Sequence, residues 1–318
     1  MAPPQRRRVS ASGPESPLTL EQSLDWGELA PLRISARAAA DGVYAGSHRS
    51  QRRGAGVEFG GHRAYVPGDD LRFIDRHALM RHGRLMVRQF ETETDRTLRL
   101  VVDASASMAF RSKGAPGAKL AYAAVVAAAL ARIAISNGDP VALDWIGGDA
   151  RQPLPALGGR EAFERVVAAL ETVRPGGDLR LDGAATERAF AGVARHARRG
   201  SVVVLLSDLL DLPEHTLDRF AALSSLGRTL IAVRVLDPLE ATFALEGPVR
   251  LFASEGNFHV ETDASLVKQG YLARLAAIAS AWQQRLAESG GTLIDSVTSQ
   301  PPVNTVREIV LGAGGGGR

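Results

Sequence analysis

The chain of 318 residues is long enough for one large or two small domains with a sizeable core, and 45% hydrophobic with 23% charged residues is an ordinary globular balance. It contains no cysteine, which excludes disulfides, thiolate metal sites and a cysteine nucleophile. The formal charge of +3 is carried almost wholly by arginine, with lysine only at Lys113, Lys119 and Lys268, and so small and dispersed an excess does not point to nucleic acid.

Residues 1–17 are Pro, Ser and Arg with hardly an apolar side chain, and are expected to be disordered. Residues 18–96 read as an N-terminal β-rich lobe packed on the main domain. Within it, Leu20, Leu24, Trp26, Leu29, Leu32 and Ile34 space out a helix, Pro67-Gly68-Asp69-Asp70 makes a turn, and residues 85–91 alternate as a half-buried strand. The mixed charges of Arg63, Asp69, Asp70, Arg72 and Asp75 either fix this lobe or form a docking surface. The main domain spans 97–311. Its predicted strands are 98–103, 140–146, 201–206, 229–236 and 291–297, with a short edge at 152–157 and a hairpin at 249–253 and 257–261. Its predicted helices are 119–135, 161–173, 183–198, 213–226 and 264–288. This alternation implies an α/β fold with a doubly wound, mainly parallel sheet. Residues 312–318 read as a flexible tail. No apolar run approaches the roughly 18 residues of a membrane span, because 121–135 is broken by Arg132, and the N-terminus lacks the apolar core of a secretory signal. The expectation is a cytoplasmic protein without a membrane span.

The chain is organised around residues 98–107. An apolar, β-branched run ends abruptly in Asp103-Ala104-Ser105-Ala106-Ser107, at the carboxyl end of a strand buried on both faces, where open α/β sheets bind ligands. One carboxylate and two hydroxyls aimed from one tight loop are hard oxygen donors suited to magnesium, calcium or manganese; alternatively, they merely cap the following helix. A second apolar strand lands on Ser207-Asp208 in the same way, and Asp208 is expected at the rim of the core, where its removal would spare the fold.

This pair of strands, with Asp-x-Ser-x-Ser on the first, resembles the von Willebrand factor A-like domain and its metal-ion-dependent adhesion site. The stretch Gly54-Ala55-Gly56-Val57-Glu58-Phe59, Arg63-Ala64-Tyr65, Pro67-Gly68-Asp69-Asp70-Leu71-Arg72 and Ile74-Asp75 narrows the match. It resembles the signature of a bacterial family, domain of unknown function number fifty-eight, although the usual Trp after Ile-Asp is Arg76 here. The resemblance implies a Mg2+ site, or one for Mn2+ or Ca2+. In it Ser105 and Ser107 ligate directly, Asp103 and Asp208 hold metal-bound waters, and one position stays open for a partner's carboxylate. A third loop usually brings a Thr after Gly-Gly. Here Gly176-Gly177 is followed by Asp178, which could ligate directly, with Asp182 and Thr186 as substitutes from the same loop. The site is then either a tighter cation site or a degenerate one. The resemblance further implies an adaptor working with a MoxR-type AAA+ ATPase on an unknown protein client.

Enzyme readings find little support. A dehalogenase-like phosphatase needs a second Asp two residues after the first, where Ser105 stands. Neither a Gly-x-x-x-x-Gly-Lys phosphate loop nor a Gly-x-Ser-x-Gly elbow occurs, and the histidines are scattered without ligand spacing. A non-enzymatic interaction protein is expected, with a metal-dependent phosphohydrolase or a metal-free scaffold as the alternatives.

Overall fold

Two compact units divide the chain, one of Met1–Ala36 with Arg96–Arg318 and the other of Arg37–Asp95. The computed structural model describes residues 7–8, 58–65, 74–75, 80, 83, 85–91, 96–148, 152–179, 182–252 and 259–315. The helix expected within 18–40 and the side chains of Arg63, Asp69, Asp70 and Arg72 lie outside the described residues, as do most of 1–17. Within 1–17, β1 (Arg7–Arg8) is nonetheless a strand. In the second unit β2 (Glu58–Ala64) pairs antiparallel with β3 (Met86–Glu91), with a bulge between Phe59 and Gly61, and Ile74 bridges to Val87.

The first unit is built on a six-stranded sheet. Its strands are β4 (Leu98–Ala104), β5 (Val141–Gly147), β6 (Leu154–Leu157), β7 (Val202–Ser207), β8 (Thr229–Leu236) and β11 (Thr292–Val297). Between the last two, β9 (Pro248–Phe252) and β10 (His259–Asp263) form the expected hairpin, to which β1 adds in parallel. The main sheet has the order β11-β8-β7-β4-β5-β6 and is parallel except for β6. Strand β4 is buried throughout, and its pleat explains the continuous apolar run. Leu98, Leu100, Val102 and Ala104 face one helical layer and Val101 the other.

Helices α1 (Lys119–Ser136), α2 (Gly159–Thr172) and α7 (Pro302–Gly315) pack on the first face. Helices α3 (Ala184–His196), α4 (Thr216–Ala222) and α6 (Ala264–Glu288) pack on the second, where Phe220 meets Phe190 at 5.6 Å and Trp282 at 6.0 Å. The result is the expected α/β fold with helices on both faces of a mostly parallel sheet. Helix α1 is long and apolar enough to cross a bilayer by length and composition, against the expectation that Arg132 disqualifies it, but 78% of it is buried in the molecule. Arg132 escapes to the surface and stacks over the Phe163 ring at 5.2 Å.

Three further elements depart from the sequence reading. The helix expected at 213–226 is shorter: α4 covers Thr216–Ala222, a 3-10 turn follows at Ser225–Gly227, and Leu226 at φ 67 with Gly227 in the left-handed region ends any continuation. A short helix α5 (Pro238–Thr242) forms after β8, with Asp237 and Glu240 as a capping box and Pro238 in the first turn. Helix α7 was hidden in the sequence by Pro301-Pro302 and the glycines from 312, yet proline suits a first turn, and Val306 and Ile309 bury one face. It reaches Gly315, into the expected tail. The Tyr122 hydroxyl, 2.9 Å from Ser296 Oγ and 2.8 Å from Thr305 Oγ1, ties α1 to β11 and α7.

Candidate functional site

Strands β4 and β7 are neighbours, and from them the sheet grows outward in opposite directions, towards β5 and β6 on one side and β8 and β11 on the other. Such a reversal is where open α/β sheets bind their ligands, beyond the carboxyl ends of the strands. Asp103, Ser105, Ser107, Ser207 and Asp208 meet there. Asp103 Oδ1 accepts from the Ser105 amide at 2.9 Å, and Oδ2 accepts from Ser207 Oγ at 2.6 Å. The first bond folds the chain back, so that Ser105 Oγ and Ser107 Oγ lie 3.1 Å apart at the head of a 3-10 turn, Ala106–Ala109. Asp208 Oδ1 accepts from the Leu210 amide at 3.0 Å, and the nearby Ser107 hydroxyl favours its ionised form. Asp103, Ser105 and Ser107 are therefore joined in one network, and Asp208 lies beside it.

Asp208 does not lie at the rim. It is 1% exposed, as buried as Asp103 and Ser105, because Leu209 turns back over it with φ 61 and Lys119 closes the other side. Its replacement would leave the Lys119 ammonium short of a partner, a cost the rim position did not anticipate. The fifth residue, Asp178, is half-buried in a loop stitched to the site by its backbone. Gly176 N donates to Ala104 O at 2.9 Å, and Ala106 N to Gly177 O at 3.2 Å. The suggested substitutes turn elsewhere: Asp182 pairs with Arg188 at the surface, and Thr186 donates to the Gly183 carbonyl at 3.3 Å.

This closeness depends on Gly147, which has φ 67 at the end of β5. A Cβ there would sit 3.0 Å from both Cα and N of Ser105 and 3.3 Å from Gly176 O. Only glycine lets the three loops meet.

Sequence reasoning missed Lys119, the first residue of α1. Its ammonium is fully enclosed, 2.7 Å from Asp208 Oδ2 and 2.7 Å from Glu240 Oε1. Glu240 in turn accepts from the Asp237 amide at 3.0 Å through Oε2, and Asp237 Oδ2 accepts from Ser112 N at 2.8 Å. The segment after β8 is thereby fastened to the loop after β4. A signal was available, since Lys119 is one of three lysines in an arginine-rich chain and Asp-Pro-x-Glu is a capping pattern. That the two would meet was not readable.

The charges respond as this geometry requires. Burial, then the neighbouring Asp208 charge, pushes the Asp103 carboxyl up to about 6 against the hydrogen bonds from Ser207 and Ser105. Burial also opposes the Asp208 carboxylate, but the Lys119 ammonium overrides it and holds the group below the usual range. Burial raises Glu240 although Lys119 opposes the rise. Burial would lower Lys119, but its two carboxylates hold it above the ordinary lysine value. Two carboxylates thus hold one internal cation, while Asp103 is left without a cation of its own.

The donor set fits a small divalent cation. Among the described residues no group of three His, Cys, Asp or Glu side chains could hold a metal, but hydroxyls are donors as well. The 3.1 Å between Ser105 Oγ and Ser107 Oγ is close to the roughly 3 Å edge of a magnesium octahedron with bonds near 2.1 Å. Ser105 and Ser107 would hold such an ion directly, with Asp103 and Asp208 behind them.

What fold and site define is an α/β protein with a buried cluster of carboxylates and hydroxyls at the carboxyl ends of its central strands. Residues 61–280 match the family described as "Protein of unknown function DUF58", and the chain belongs to that family. Its relatives include the uncharacterized proteins Mb1516 of Mycobacterium bovis and Rv1480 of Mycobacterium tuberculosis, each 30% identical over 254 residues, or 78% of this chain and 77% of theirs. Among solved structures it is similar to the conserved hypothetical protein BatB of Bacteroides thetaiotaomicron, with a TM-score of 0.42 and 14% identity over 69% of this chain and 98% of that one. An aerotolerance-related membrane protein of Bacteroides fragilis gives 0.41 and 16% over 68% and 98%. An uncharacterized membrane spanning protein of Vibrio fischeri gives 0.22 and 18% over 66% and 94%. At these scores the likeness places nothing about this chain, in a membrane or elsewhere. Two of the three are nonetheless described as membrane proteins, against the cytoplasmic location expected from the sequence, and that expectation is withdrawn.

Proposed function

We propose that this chain is a non-enzymatic protein-interaction module built on a von Willebrand factor A-like domain, working as an adaptor or co-chaperone with a MoxR-type AAA+ ATPase on a protein client. The observation that carries the reading is the convergence of Asp103, Ser105, Ser107 and Asp208 on one point at the carboxyl ends of β4 and β7. The ATPase and the client follow from the family resemblance. Ser105 and Ser107 supply neutral oxygens, while Asp103, oriented by Ser207, and Asp208 supply the charge. A divalent ion held there offers a Lewis-acidic position that a partner's Asp or Glu completes. Asp103 lacks the acid–base neighbour two residues on that a phosphohydrolase of this topology needs, and its oxygens are engaged by the Ser105 amide and the Ser207 hydroxyl rather than turned out as a nucleophile.

Co-purification of the intact chain with its ATPase and client, with and without chelator, tests this. Association should be lost with chelator and in the double variant Ser105→Ala with Ser107→Ala. Association that survives both sends the interface away from this cleft.

A further inference from the structure

Lys119 stands where a lysine is not wanted by its helix. It opens α1, at the positive end of the helix dipole, with no acidic residue in the first turn. Its ammonium is a strongly hydrated group buried without water contact, offset by Asp208, Glu240 and the Phe110 face at 5.9 Å. Asp208 is the shared member. Its Oδ2 accepts from this ammonium and its Oδ1 from Leu210, and it lies beside Ser107, one of the two hydroxyl donors, which favours its ionised form. A divalent ion seated on Ser105 and Ser107 must therefore draw on a carboxylate already engaged by a cation of the chain itself.

We propose that Lys119 is a tethered cation that competes with a divalent metal ion for Asp208, so that the cleft exists in a lysine-closed and a metal-open form. The proposal rests on the cation-site reading above. Glu240 is what makes the exchange possible: it lies 2.7 Å from the same ammonium and keeps it paired when Asp208 turns to the metal. Because Glu240 belongs to the capping box of α5, and Asp237 of that box holds the Ser112 amide, the choice is made at the junction between the loop after β4 and the segment after β8.

The test is a calorimetric titration of Mn2+ alone into the intact chain, with folding checked by circular dichroism. Lys119→Met should bind Mn2+ about tenfold or more tightly than the wild type, since a full positive charge is removed beside the site. Lys119→Arg, which keeps the charge, should not gain affinity. Glu240→Gln, which leaves the ammonium to Asp208 alone, should bind more weakly than the wild type. Lys119→Met leaves two carboxylates facing each other, so the double variant with Glu240→Gln, which keeps one of them, guards against misfolding; it too should bind more tightly than the wild type. Equal Mn2+ affinity with and without the lysine overturns the competition and leaves the cation site standing. Absence of Mn2+ binding in every folded variant overturns both.

Discussion

Near the amino ends of its central strands the sheet gathers two guanidinium groups, Arg99 and Arg228, with the carboxylate of Asp144; beyond the carboxyl ends it gathers four carboxylates, Asp103, Asp208, Asp237 and Glu240, and one ammonium. Arg99 of β4 meets Asp144 of β5 at 3.3 Å, and Arg228 donates to the Ala194 and Ala197 carbonyls at the end of α3 and to Leu223 O. The surplus positive charge thus faces the negative end of a helix and is answered within the fold. At the opposite end the surplus is negative, and around Asp103 it is answered only by hydroxyls and a backbone amide. Both clusters are buried and both contain ion pairs, so burial and pairing do not by themselves mark a binding site. On the proposed reading, what separates them is whether the charge closes internally or leaves a place for an ion from outside.

The largest effects should come from opening each cluster. Asp144→Ala strands Arg99 and Asp208→Ala strands much of Lys119, and each should lower stability by about 3–5 kcal/mol in urea unfolding. Only Asp208→Ala should also abolish stabilisation by Mn2+. If both variants keep that response, or both lose it, the two ends do not differ as described.

A smaller effect sharpens the same distinction through the backbone. Gly147→Ala should cost about 1–3 kcal/mol from its left-handed φ and its clash with Ser105, and should weaken the response to Mn2+ by moving that serine. Gly200→Ala has a similar φ of 74 but nothing within 4 Å of the new Cβ. It should cost less and leave the metal response alone, as read by thermal unfolding with and without Mn2+.

The strands were legible in the sequence because the buried ones are nearly continuous apolar runs, and β4 and β7 announce their ends by an abrupt switch to Asp and Ser. The Asp103–Ser107 loop was legible for the same reason. Lys119 and Glu240 were not, because they come from different connections, 121 residues apart, and pair only once β4, β7 and β8 lie side by side. The burial of Asp208 was misread on the same account, since it depends on that lysine. Nothing in the sequence singles out Gly147; its need for glycine arises from a loop more than 25 residues further on and another some 40 residues before. Helix α7 was hidden by residues that usually break helices but stand here at its two ends.

The smallest predicted effect is with pH. The Asp103 carboxyl is raised to about 6, above its ordinary unfolded value near 4, so its contribution to the metal-free fold declines as pH rises between those values. A cation needs the ionised form and offsets that loss. Thermal stabilisation by Mn2+ should therefore grow from about pH 5 to about pH 7.5; a shift that stays constant over this range would separate Asp103 from the metal.

Calorimetric titration of Mn2+ into the intact wild-type chain and into the Ser105→Ala, Ser107→Ala double variant tests the central claim most directly. The hydroxyls contribute only about 1 kcal/mol each as hydrogen bonds, so the variant should remain folded. Saturable binding to the wild type that disappears in the folded double variant is the predicted result. No binding to the wild type, or binding undiminished by loss of both hydroxyls, would contradict the assignment of the carboxyl-end cleft as a cation site.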